Sequence, residues 1–133
     1  MPAEPQSLRL KPVWLTLGVM LLAAVLTVCL IPLKMPAATP VLNDKVLHVG
    51  TFVLLTAWFG AIAPGQSARV GAGLLLYGVL IEVLQSFTAY RSAELLDLLA
   101  DAAGIAAGLL ILQTPIKRWP FWLESLLLPE RAA

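Results

Sequence analysis

The sequence predicts an all-α fold, an integral membrane four-helix bundle with a short C-terminal interfacial helix, and three observations support this. Hydrophobic residues make up 59% and charged residues 13% of the 133 positions, with a mean hydropathy of +0.87. A soluble domain carries about a quarter charged residues. Four apolar stretches occur at 13–31, 45–62, 70–87 and 93–112, each near the ~20 residues a helix needs to cross a ~30 Å hydrocarbon layer. Turn-forming breaks separate them, and no internal repeat or low-complexity tract is present, so residues 1–133 read as one transmembrane domain.

The elements follow in order. Pro2, Pro5 and Pro12 with Arg9 and Lys11 form an irregular tail, and Val13 to Ile31 carries no charge. Pro36-Ala37-Ala38 has the small residues of a signal-peptide cleavage site, but this apolar run exceeds the ~7 to 15 residues of such a peptide's core, so a retained first span is expected. Pro32, Pro36 and Pro40 should keep the backbone extended until Asn43 or Asp44 caps a helix over 45–62. Pro64-Gly65 ends that helix, a third runs over 70–87, Thr88 to Ser92 form a loop, and a fourth covers 93–112 before Pro115. Lys117, Arg118 and Trp119, followed by Phe121, Trp122, Leu123, Leu126 and Leu127, predict an interfacial helix over about 117–128.

Lysine and arginine concentrate on cytoplasmic loops. With the N-terminus inside, six of them (Arg9, Lys11, Arg69, Lys117, Arg118, Arg131) lie on the cytoplasmic side and three (Lys34, Lys45, Arg91) outside. Both termini are therefore expected in the cytoplasm, with Trp14, Trp58, Trp119 and Trp122 at the inner interface. A net charge of +1 argues against a nucleic-acid partner, and the single Cys29 excludes an internal disulfide and reads as packing.

Charge inside these spans carries the functional reading, because a carboxylate at mid-membrane costs roughly 2.5 to 3.5 kcal/mol on insertion scales. Asp44, Lys45 and His48 open the second span, Glu82 and Gln85 close the third, and Arg91, Glu94, Asp97 and Asp101 lead into the fourth. The predicted topology brings all three sets to the outer side, with His48, Glu82 and Asp97 within about 10 Å of that interface and Asp101 one turn deeper. Glu94, Asp97, Asp101, Gly104 and Gly108 recur at spacings of three and four, a stripe about 80° wide. Gly71, Gly78, Glu82 and Gln85 form a similar stripe on the third helix. The glycines predict close helix contact, either within the bundle or in a homodimer through Gly104 and Gly108. The upper halves of the stripes predict a polar pocket lined by Asp44, Lys45, His48, Glu82, Gln85, Arg91, Asp97 and Asp101.

Five acids face Lys45, Arg91 and a titratable His48, so the group needs bound protons or a bound cation. His48, Glu82 and Asp97 are the candidate metal ligands, although their spacing matches no established metal motif, and no cofactor is expected. An ion-pair clamp fixing three helix ends is the purely structural alternative.

At these positions the chain resembles a family. Asp44-Lys45-Val46-Leu47-His48, Glu82-Val83-Leu84-Gln85, and Arg91 through Asp97 to Asp101 and Gly104 look like the VanZ-like family of small bacterial membrane proteins, whose named member is associated with teicoplanin resistance. The resemblance covers about residues 41–112. At Asp101 the chain departs from the asparagine that the family pattern favours, which makes this pocket more acidic. The resemblance implies a multi-pass protein of the bacterial cytoplasmic (inner) membrane linked to the cell envelope, without specifying a reaction. The expected function is binding of a polar headgroup or amphiphile at the outer leaflet, such as a lipoglycopeptide or envelope precursor, with membrane lipids or lipid-linked envelope molecules as partners. The alternatives are an intramembrane enzyme, with Glu82 or Asp97 as general base and His48 as acid or metal ligand, and a small cation or proton-coupled transporter. No serine or cysteine nucleophile arrangement supports the first, and no inverted repeat supports the second.

Overall fold

The computed structural model describes residues 7–32, 40–90 and 92–128, the side chains of 40–43 excepted, and these residues form helices and turns without a strand. Helix α1 spans Lys11–Leu30, with Pro12 in its first turn, where the missing N–H goes unused. Ile31 follows in extended conformation (φ −85°, ψ 147°), as expected of a residue before proline.

Helix α2 spans Pro40–Ile62. This corrects the predicted start: Pro40 opens the helix, its fixed φ being suited to a first turn, so Asn43 and Asp44 lie inside α2 and do not cap it. A tight turn with Gly65 at φ +79° leads into α3, Ser67–Ser86. Helix α4 spans Leu95–Ile111, 17 residues, shorter at both ends than the predicted 93–112. A 3-10 turn at Pro115–Arg118 joins it to α5, Trp119–Leu127. The axis bends by 82° between α4 and this last segment, which places α5 across the end of the bundle.

Helices α1, α2 and α3 are each long and apolar enough to cross a membrane, and α4 makes a fourth when counted with its bent continuation. Large apolar side chains cover the outside: Leu76 is 71% and Leu95 73% exposed. Such a coat is expected of a surface facing lipid. The interior holds Phe52, Leu55, Leu74, Ile81 and Ile105, while His48, Glu82, Gln85, Asp97 and Asp101 are also buried.

Helices α2 and α4 form the most extensive pairing, and two glycines explain their closeness. A Cβ on Gly104 would lie 2.5 Å from the Val49 carbonyl oxygen, and one on Gly108 would lie 2.5 Å from Thr56 Cβ. Because lipid removes most of the hydrophobic drive between helices, such van der Waals contact supplies much of their association. Of the two roles the sequence left open for Gly104 and Gly108, contact within one bundle is the one observed, and α2 occupies the face that a dimer would have used.

At the opposite end from the buried acids, Trp14, Trp58 and Trp119 pack with ring centroids 5.0 to 5.9 Å apart. Glu124 of α5 ties this end together. Its Oε2 accepts from the Arg9 N–H at 2.7 Å, and its Oε1 accepts from the Leu10 N–H and from Trp14 Nε1, both at 2.8 Å. Leu10 is the N-cap of α1 and receives no side-chain cap from its own neighbourhood. Glu124 thus performs from across the sequence what the glutamate of a capping box does locally. Burial works against its charge, but the Leu10, Trp14 and Arg9 donors outweigh that and hold the carboxyl below the usual carboxylate range.

Candidate functional site: a charged cluster at one end of the bundle

Three helix termini build the site. The start of α2 supplies Asp44, Lys45 and His48, the end of α3 supplies Glu82 and Gln85, and the start of α4 supplies Asp97 and Asp101, with Glu94 as its N-cap. The short connection from α3 to α4 holds their acidic ends together, and the chain order up, down, up brings α2 alongside both.

Lys45 lies among three acids. Its Nζ donates to Glu94 Oε2 at 2.8 Å and to Asp97 Oδ1, and Asp44 Oδ2 lies 3.8 Å away. Deeper in the bundle His48 Nδ1 is 2.7 Å from Asp101 Oδ1. With Asp101 ionised, Nδ1 carries a ring proton and donates it to that carboxylate. That Nε2 lies 4.0 Å from Asp97 Oδ2. Glu82 Oε2 accepts the Glu94 N–H at 2.8 Å, at the N-terminal end of α4, where the helix dipole favours negative charge.

Gly78 makes room for Asp101 in the neighbouring helix, since a Cβ there would lie 2.6 Å from Asp101 Oδ2. Asp101 is fully buried, Asp97 3% exposed and His48 6% exposed. The cluster is therefore entered from the side of Asp44, Lys45 and Glu94, whose side chains keep 26%, 18% and 48% of their surface. Two carboxylate oxygens, Glu82 Oε1 and Asp101 Oδ2, are buried without a hydrogen-bond partner among the described residues. Unpaired buried acceptors are uncommon because each forfeits its solvation.

Among the residues predicted for the site, Asp44, Lys45, His48, Asp97 and Asp101 meet in one network, with Glu82 joined to it through Glu94. Gln85 departs from the expected role. Fully buried, it donates from Nε2 to the Cys29 carbonyl of α1 at 3.0 Å and so anchors α1. Tyr90 reinforces that contact by donating to the Leu30 carbonyl. Arg91 lies outside the described residues. The ligand-type atoms that converge are those of Asp44, His48 and Asp97, all within 4.8 Å of one another; Asp44 replaces Glu82 in the predicted trio because α2 presents Asp44 and His48 one turn apart.

Two residues gain roles that sequence reasoning did not give them. Glu94 was legible as part of the α4 stripe but not as the N-cap whose N–H meets Glu82 and whose side chain holds Lys45. Glu124 carried only a weak signal, as a lone acid on an otherwise apolar and aromatic helix, and its partners at residues 9, 10 and 14 are more than 100 positions away.

The fold and the site define a class, a helical bundle suited to the membrane that gathers buried acid, histidine and lysine at one end and tryptophan at the other. No family model, no curated protein and no solved structure matches the chain.

Proposed function

We propose that the charged cluster binds the polar headgroup of an amphiphile at the outer leaflet of a bacterial inner membrane, in a VanZ-like role linked to teicoplanin-type glycopeptide resistance or envelope homeostasis. The observation that carries this reading is the pair of buried carboxylate oxygens on Glu82 and Asp101 without partners among the described residues, beside a network entered from the bundle's end. Oxygen acceptors in that state call for a ligand with hydroxyl or amine donors, because each donor recovers a hydrogen bond that burial has removed. The apolar outer surfaces of α2, α3 and α4 then lie against the ligand's acyl chain. Placing the cluster on the outer side rests on the lysine and arginine bias and on the tryptophans at the opposite end.

Native mass spectrometry of gently solubilised protein tests the proposal. Wild type should retain a lipid or lipid-linked molecule, and Glu82→Ala and Asp97→Ala should lose it while keeping wild-type circular dichroism. If wild type retains nothing and both variants unfold, the cluster is an ion-pair clamp and the proposal fails.

The His48–Asp101 pair favours a second reading, an intramembrane enzyme acting on a lipid-linked substrate, since a carboxylate that orients imidazole is a common general-base arrangement. Turnover of a lipid-linked substrate by wild type, abolished in His48→Gln, distinguishes it from binding alone.

A further inference from the structure

We propose that Asp44, His48 and Asp97 form a site for one divalent transition-metal ion, with Asp101 as the group that orients the histidine. This rests on the reading of the cluster as a ligand site and names an ion it would hold.

Geometry is the first support. One oxygen from each aspartate and one ring nitrogen of His48 lie within 4.8 Å of one another, and His48 Nε2 is 4.0 Å from Asp97 Oδ2. Two ligands each about 2.1 Å from a common ion are separated by at most ~4.2 Å, so that pair accepts one with little movement. The helix supplies the third ligand, because Asp44 and His48 are four residues apart on α2 and share a face, and a small side-chain shift closes the set on one ion.

The hydrogen bond to His48 is the second support. Metal-binding histidines usually donate their other ring N–H to a carboxylate, which fixes the tautomer and raises the basicity of the ligating nitrogen. His48 Nδ1 meets Asp101 Oδ1 at 2.7 Å, which leaves Nε2 for the ion on the side of Asp97. Asp101 is completely buried, so this bond is shielded from water.

Buried oxygen without a partner is the third. Glu82 Oε1 and Asp101 Oδ2 are buried with no hydrogen-bond partner among the described residues, and both side chains belong to the network that holds Asp44, His48 and Asp97. Glu82 is 7% exposed and joins the network through the Glu94 N–H that its Oε2 accepts at 2.8 Å. A dipositive ion at the Asp44–His48–Asp97 centre would supply positive charge beside these buried acceptors, the usual company of carboxylates kept from water. Lys45 does not block it, since the lysine holds Asp97 Oδ1 while Oδ2 faces the histidine. One nitrogen and two oxygens suit Zn2+ or Mn2+, and three protein ligands leave positions open for water or a headgroup oxygen.

The test is isothermal titration of chelator-stripped, detergent-solubilised full-length protein with Zn2+, with Mn2+ and Mg2+ in parallel and Co2+ absorption as a spectroscopic check. Wild type should bind one Zn2+ per chain, and His48→Gln and Asp97→Asn should each weaken binding at least tenfold with circular dichroism unchanged. Asp101→Asn should weaken it by about 10- to 100-fold while the stoichiometry stays at one, the signature of an orienting group. Co2+ should show a visible band that His48→Gln abolishes. Absence of stoichiometric Zn2+ binding by wild type, or wild-type affinity in both His48→Gln and Asp97→Asn, overturns the proposal. Retention of an amphiphile without metal would remove the ion and leave the headgroup reading standing, whereas metal without an amphiphile would do the reverse.

Discussion

Replacing Glu124 with alanine should destabilise the bundle from the end opposite the charged cluster. Glu124 is 5% exposed and accepts three hydrogen bonds, one from the indole of Trp14, itself 6% exposed. Alanine leaves that indole N–H buried without an acceptor, a loss of about 1 to 3 kcal/mol. The Arg9 and Leu10 N–H groups are partly buried and water can reach them, so losing their acceptor resembles losing an ordinary N-cap, about 1 kcal/mol. Together these give roughly 2 to 4 kcal/mol. At about 4 °C per kcal/mol for a chain of this length, the melting temperature should fall by roughly 8 to 16 °C. Intrinsic tryptophan fluorescence during a thermal ramp in lipid nanodiscs is a suitable assay, because Trp14, Trp58 and Trp119 pack together beside Glu124 and report on its surroundings. A Glu124→Ala midpoint within about 2 °C of wild type would refute the argument, since ~0.5 kcal/mol is far less than an unsatisfied buried donor requires.

The same carboxylate predicts a pH dependence. Its folded-state value lies below the ordinary 4.5, so its stabilisation is fully present above 4.5 and is lost as pH falls through the lower folded value. The difference in melting temperature between wild type and Glu124→Gln should therefore shrink on acidification below about pH 4.5, and a difference that stays constant down to the folded value or grows would contradict the assignment. Gly104→Ala should destabilise by about 1 to 3 kcal/mol, because its Cβ meets the Val49 carbonyl and must push the helices apart. Gly73→Ala, where nothing lies within 4 Å, should leave the midpoint unchanged or raise it; equal loss in both would remove the close-packing explanation. A single cysteine introduced at Gln66 in a Cys29→Ala background should resist a membrane-impermeant maleimide in intact cells and react after lysis. Labelling in intact cells would reverse the proposed orientation and move the cluster to the inner leaflet.

The bundle's topology was legible because lipid imposes a simple requirement on sequence. A helix that satisfies its own backbone must be apolar for about 20 residues, and that pattern survives at any packing geometry. Helix ends were less legible. In the sequence Pro40 has the marks of a breaker, yet it stands at the start of α2, since the same fixed φ serves both purposes and only the following chain decides. For the site, spacing along each helix predicted which acids share a face, and the network of Asp44, Lys45, His48, Asp97 and Asp101 follows from it. Gln85 lies on the same stripe as Glu82 yet bonds to α1, because its neighbour is set by how three helices meet.

The sequence by itself determined that this chain is a set of apolar helices with ionisable groups at matched depths, because both depend on local period and on the thickness of a bilayer. Only the tertiary structure decided that Asp101 holds His48, that α2 fills the face of Gly104 and Gly108, and that Glu124 caps a helix more than 100 residues before it. Those pairings depend on the rotation of each helix about its axis and on the 82° turn after α4, quantities that arise from side chains interlocking across separate segments.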